Sequence, residues 1–445
     1  MRDIVLTLIV FGSVPFVLKQ PLIGLLMWVW LSIMNPHRLA YGFAFSMPFA
    51  QVIAICTLFS LVLHARSLYR LPFNAAVFAI FGFTFWICIS PLFPAAPSVA
   101  GDNFQLWLRA IKILAMVLVA FFVIGTREDI DKLVWVLTMS VAFYGIKGGV
   151  FVIATAGDFR VWGPPGSYIE ENNALAIALL STIPLLRYLQ LQASNRWMRM
   201  GLMGAMLLCF ASAVGSYSRG ALIAMVAMGA YFWLKGRQKL LVGVILAIAA
   251  PIMFSFMPDK WFERMSTIQT FEEDRSAQGR INAWWNAWNL AIDRFPIGGG
   301  FDIYIPQVFA RYSPIPEYVH AAHSIYFQVL GEHGFVGLAL YLLIFGSAWR
   351  YGGWVVSRCK KRPDLAWAHD LGAMIQVSLI AFAVGAAFLS LAYYDFPYYV
   401  AVIAATLRHV VAKALKYGPD AKATPAQVAP AVASANPRMR PGMGK

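Results

Sequence analysis

The chain has 445 residues, of which 60% are hydrophobic and 13% charged, and its formal net charge is +15. A soluble protein of this length carries roughly twice that share of charge, so the composition excludes an ordinary globular enzyme. The positive charge lies in short loops between apolar runs, which sets membrane topology and gives no reason to expect nucleic-acid binding.

Two short apolar runs come first, 4–18 and 22–34, split by Lys19-Gln20-Pro21. Others follow at 49–63, 73–93, 104–125, 133–156, 174–186, 202–215, 221–234, 240–256, 324–348, 371–391 and 398–415. Many are near the roughly 17–25 residues that cross a hydrocarbon core, so the expected fold is an all-α polytopic membrane protein with about 12 transmembrane helices. The runs do not alternate every second residue, which excludes a transmembrane barrel. No small-residue cleavage site follows the first run, so no cleaved signal peptide is expected, and the two short N-terminal runs leave the count at about 12 or 13 crossings. Cys56, Cys88, Cys209 and Cys359 share no metal-ligand spacing and read as packing residues.

Basic residues collect at 64–70, 187–199, 235–239, 350–364 and 408–416, all on one face by alternation, and that face is expected to be cytoplasmic. The opposite face holds 95–103, 157–173, 216–219, 392–397 and a long loop, 257–323. That loop carries six basic and eight acidic residues, a net charge of −2 in a +15 chain. Its arginines therefore do not serve orientation. The expected divisions are N-terminal spans at 1–256, a periplasmic loop with interfacial helices at 257–323, C-terminal spans at 324–416 and a disordered cytoplasmic tail at 417–445.

Within the long loop, 276–295 has helical periodicity. Arg280, Trp284, Ala287, Trp288 and Ala291 share one face, and Asn282, Asn286, Asn289 and Asp293 another. With Trp285, the tryptophans suit a helix lying at the membrane interface. Pro296 and Gly298-Gly299-Gly300 end it.

Several residues on the outer face could carry chemistry. Arg219 sits between two apolar runs with almost no loop, either snorkelling to headgroups or facing a polar niche allowed by its small neighbours. Arg280 lies on the apolar face of its helix, either stacked on tryptophan or aimed at an anion that its fork matches. Arg160 reads alone as a surface arginine; Asn172 and Asn173 follow at the head of a span. His323 opens a span, His320 stands three residues before it, and a neutral imidazole there could accept a proton from a hydroxyl. Glu332 and His333 lie deeper in that span, packed or facing a cavity. The His pair lacks zinc-site spacing and a nearby carboxylate cluster, so no metal is expected. No Walker loop, nucleophile elbow or Asp-rich pair occurs, which argues against a nucleotide-sugar donor.

The ordered set Ser218-Arg219-Gly220, Gly279-Arg280-Ile281-Asn282-Ala283-Trp284, Pro296-Ile297-Gly298-Gly299-Gly300 and His323-Ser324 with Gly331-Glu332-His333-Gly334 resembles the O-antigen ligase superfamily. Ser324 stands where the family often has Asn. Met34-Asn35-Pro36-His37-Arg38-Leu39 and Trp162-Gly163-Pro164-Pro165-Gly166-Ser167-Tyr168 resemble its branch of exosortase-associated O-glycosylation ligases. The likeness covers residues 1–415.

The resemblance implies a GT-C-like membrane glycosyltransferase in a bacterial inner membrane, with its active site facing the periplasm. It implies an undecaprenyl-pyrophosphate-linked glycan as donor, lipid A–core or protein as acceptor, and no cofactor or metal. On this reading His323 is the general base, and Arg219 and Arg280 stabilise the leaving pyrophosphate. Arg160, Asn173, Trp284 and His320 contact substrate within a setting of membrane lipid. A polysaccharide polymerase of the same superfamily and a lipid-linked oligosaccharide transporter are the alternatives.

Overall fold

A computed structural model describes residues 1–96, 100–235, 258–266 and 275–418. The apolar run at 240–256 and the tail beyond Gly418 lie outside the described residues. Within them the chain forms helices joined by loops. In order these are α1 Arg2–Lys19, α2 Pro21–Val29, α3 Phe49–Leu63, α4 Ala75–Ile89, α5 Ala100–Val123, α6 Arg127–Ala154, α7 Asn172–Gln192, α8 Arg196–Val214, α9 Arg219–Lys235, α10 Asp259–Ser266, α11 Arg275–Asp293, α12 Pro306–Tyr312, α13 Ile325–Cys359, α14 Ala366–Gly385 and α15 Asp395–Tyr417.

Every described apolar run of the sequence forms a helix. Eight helices among the described residues are long and apolar enough to cross a membrane, and the segments Pro21–Met34 and Phe49–Leu63 are shorter apolar helices. Local chemistry starts several of them. Asn74 caps α4 by accepting from the backbone of Ala76 and Val77, Asn195 caps α8, and Thr126 with Asp129 closes a capping box on α6.

The outer surface of the bundle is apolar: Leu8, Phe78, Ile153 and Val226 are all exposed. In water such a surface would be a liability; in hydrocarbon it costs nothing. The interior is built around α7, α13 and α15. Helix α7 packs against α8 and α14, and α13 against α4, α11, α14 and α15. Described parts of the loops that the charge pattern assigns to one face touch one another: Asn172 donates to Ser216, Tyr217 to Gly157, and Ala95 to Gly299.

Candidate active site

Helix α11 anchors one side of the site, through the residues that periodicity placed on its polar face. Asn282 and Asn286 are buried, and Trp285 and Trp288 are exposed. For Asn282 the reason is the irregular segment 313–318, whose backbone needs partners. Asn282 Nδ2 donates to the carbonyls of Ile315 and Tyr318 at 2.9 and 3.0 Å, and its Oδ1 accepts from Ser313 Oγ at 2.7 Å. Trp284 donates its indole N–H to the carbonyl of Ala322 at 2.7 Å and stacks on Phe327. The helix thus holds the approach to His323 from both ends.

Gly279 explains itself here. A Cβ at that position would lie 2.9 Å from His320 Cδ2, so glycine lets the imidazole pack directly beside the residue that precedes Arg280. The His320 and His323 ring centroids are 5.3 Å apart. His323 has a φ of +43°, in the left-handed region that costs a non-glycine residue on the order of 1–3 kcal/mol.

The opposite side comes from the starts of α7 and α9. Asn172 Nδ2 donates to the carbonyl of Ser216 at 2.6 Å, and Tyr217 donates its hydroxyl to the carbonyl of Gly157 at 2.6 Å. Tyr217 too is left-handed, at φ +60°. Ser218 Oγ accepts from Ala221 N at 3.2 Å and caps α9. Arg219 is then the first residue of α9, where the helix dipole already presents positive charge. A cation there suits a bound anion rather than the helix itself.

These two sides share one narrow cleft. It is lined by Asn173, Ser218, Arg219, Gly220, Arg280, Phe388 and Leu389. Two guanidinium groups from distant segments, the beginnings of two helices and a side-chain amide thus converge. His323 is not among the lining residues, but Arg280 reaches it electrostatically. Burial, the Arg280 charge and His320 together lower the His323 pKa from 6.5 to about 4. His323 is therefore a neutral imidazole at physiological pH, the form that can accept a proton. Among the described residues no set of three or more His, Cys, Asp or Glu is placed to hold a metal ion.

Behind the cleft, the two glycine-bearing motifs meet. Helix α13 breaks at Gly334, with φ +66° and ψ −168°. The carbonyls of Gly331, Glu332 and His333 accept from Gly299 N at 2.9 Å, Gly300 N at 2.9 Å and Trp86 Nε1 at 2.8 Å. A Cβ on Gly334 would lie 2.1 Å from the carbonyl oxygen of Pro296, and one on Gly298 would lie 2.4 Å from the nitrogen of Gly334. The loop after α11 therefore docks backbone to backbone into the kink of α13, which only glycine permits. Arg294 clamps this loop through the carbonyls of Gly298 at 3.0 Å and Phe93 at 2.6 Å.

Residues 204–342 match the family model described as O-Antigen ligase. That match supports membership of the O-antigen ligase superfamily. Members are membrane ligases and polymerases of glycosyltransferase type, so the protein is an enzyme of that general kind. Residues 1–194 match a second model, described as a family of unknown function (DUF5935). Comparison with curated proteins gives no match. The O-antigen ligase match contains Arg219, Arg280, the glycine motifs and His323, whereas Asn173 falls in the N-terminal match and Phe388 and Leu389 lie beyond both.

Of the residues singled out from sequence, Arg219, Arg280 and Asn173 line the cleft together, and His323 and His320 stand beside Arg280. Trp284 holds the backbone just before His323. Arg160 is exposed, lies over the Tyr217 ring at 5.8 Å and is not among the residues lining the cleft. Phe388 and Leu389 were not legible: they sit in an apolar run read as one continuous span, where α14 ends at Gly385 and a short 3-10 turn follows.

Proposed function

We propose that this superfamily member transfers a glycan from a polyprenyl pyrophosphate, undecaprenyl pyrophosphate in a bacterial inner membrane, to an acceptor hydroxyl at the periplasmic face. One observation carries the reading: Asn173, Arg219 and Arg280 come from three distant segments and line one cleft at two helix N-termini, with His323 neutral beside it. That is an anion site next to a base.

In the reaction, His323 takes the proton of the acceptor hydroxyl. The oxygen attacks the anomeric carbon, a new glycosidic C–O bond forms, and the bond from that carbon to the pyrophosphate oxygen breaks, with inversion. Negative charge grows on the leaving pyrophosphate, and the arginines stabilise it in place of a metal ion. The pyrophosphate also offsets the Arg280 charge that depresses His323, so donor binding makes the base stronger as it is needed.

The acceptor is lipid A–core or a protein. A growing polysaccharide chain would make the same site a polymerase, since the chemistry is shared and only the acceptor differs. The test is transfer by purified protein from a polyprenyl-pyrophosphate glycan to each acceptor, without an ion gradient and with chelator present. Transfer under those conditions supports the reading; strict dependence on a gradient, or metal-rescued loss in chelator, contradicts it.

A further inference from the structure

Glu332 and His333 are 4% and 0% exposed, inside a helix long enough to span the membrane. Ionisable groups there are costly, and packing alone is better served by apolar side chains. Their hydrogen bonds run in one direction. Tyr393 donates its hydroxyl to Glu332 Oε2. The Tyr393 proton being used, His333 Nε2 donates to the Tyr393 oxygen at 2.6 Å, and the bare Nδ1 accepts from Ser90 Oγ at 2.6 Å. The chain begins at the end of α4, crosses α13 and ends on a carboxylate held from the loop before α15.

A second route leaves the same carboxylate. Gln328 Nε2 donates to Glu332 Oε1 at 3.4 Å, and Gln328 Oε1 accepts from Ala392 N at 3.4 Å. Both routes therefore end in the segment 389–394, and that segment begins with Leu389, a wall of the arginine cleft. On its backbone side Glu332 accepts from Gly300, in the loop that follows the Arg280 helix. One residue thus ties the cleft wall to the exit of the Arg280 helix, on the same helix that His323 precedes.

We infer that Glu332 is a positioning residue: through Tyr393 and Gln328 it fixes the 388–394 wall of the arginine cleft and so sets the fit of the donor's pyrophosphate. The inference rests on the transfer reading for its kinetic consequence but not for its structural one. Removing the carboxylate takes away the acceptor that the buried Tyr393 hydroxyl and the half-buried Gln328 amide both use, which loosens the wall.

The test uses full-length protein in lipid nanodiscs, with Glu332→Ala, Glu332→Gln and Tyr393→Phe. Glu332→Ala should raise hydrogen exchange in 386–394 while exchange in α7 stays unchanged. It should also raise the donor KM about tenfold or more, with kcat changed less than about threefold, the signature of lost ground-state fit. Glu332→Gln keeps an acceptor oxygen and should restore most of the donor affinity. Tyr393→Phe should move both readouts the same way by a smaller factor, and it carries the test if Glu332→Ala does not fold. The inference is overturned if exchange in 386–394 and donor KM stay at wild-type levels, or if Glu332→Gln is as impaired as Glu332→Ala, since the acid itself would then be needed. If wild-type protein transfers nothing, the transfer reading fails, and exchange alone decides the positioning claim.

Discussion

In the arginine cleft, Arg219 and Arg280 are only half-buried, and the turns leading to Arg219 and to the helix after His323 pass through left-handed non-glycine residues. At the glycine junction behind it, Glu332, His333 and Tyr393 are sealed and hydrogen-bonded to one another, and the left-handed positions Gly298, Gly300 and Gly334 are glycines. The first region keeps like charge and backbone strain on hand. The second uses glycine to avoid strain and a closed chain of hydrogen bonds to satisfy its polar atoms. The difference teaches where function sits: cations and strained turns from distant segments gather at a half-open cleft, and the rigid junction holds them in place.

Substitutions should separate the two regions. His323→Ala should lower transfer by about a thousandfold, in the range of a lost general base, while donor lipid still binds. Single-turnover transfer with radiolabelled donor measures it, and a wild-type rate removes the base assignment. Arg219→Lys and Arg280→Lys should each cost about a hundredfold in kcat, because a point charge does not reproduce the fork that matches phosphate oxygens. Equal rates for Lys and Arg would reduce the cleft to a general field of positive charge.

The junction should fail differently. Gly334→Ala places a Cβ against the Pro296 carbonyl at a positive φ and should destabilise the protein by about 2–4 kcal/mol. Thermal unfolding followed by tryptophan fluorescence reads this, and an unchanged midpoint would mean that the loop and the kink do not meet as described.

The pH profile sharpens the contrast. With the His323 pKa lowered to about 4, kcat/KM should stay level as pH falls from 8 to near 5 and drop only as protonation sets in near 4. Arg280→Gln removes one of the causes, so the drop should move up toward the ordinary histidine value of about 6.5. A wild-type profile already falling near 6.5 would mean that neither burial nor Arg280 depresses His323. The smallest effect belongs to Arg160→Ala. An exposed arginine outside the cleft lining should change donor KM by less than about threefold.

Much of the fold was legible because a bilayer imposes length and apolarity on each span, and those are local properties of sequence. The helix 275–293 was legible for the same reason, through its period. Its orientation was not. Periodicity puts Asn282 on the polar face without saying what that face meets; it is buried, because the loop it satisfies lies thirty-odd residues away and leaves no local trace. The residue types of the site were visible as cations that topology did not explain. Their convergence was not, since Asn173, Arg219 and Arg280 are brought together only by packing. Leu389 stayed hidden at the end of an apolar run and Tyr393 in the short loop after it, and without Tyr393 the place of Glu332 and His333 could not be read at all.

The central claim is that the cleft between Arg219 and Arg280 holds the pyrophosphate of the donor. An experimental structure of the protein with a non-transferable polyprenyl-pyrophosphate glycan tests it most directly. The account predicts both phosphates between the two guanidinium groups, beside Asn173 and the start of α9, with the anomeric carbon turned toward His323. Pyrophosphate bound elsewhere, with the cleft between Arg219 and Arg280 unoccupied, would contradict it.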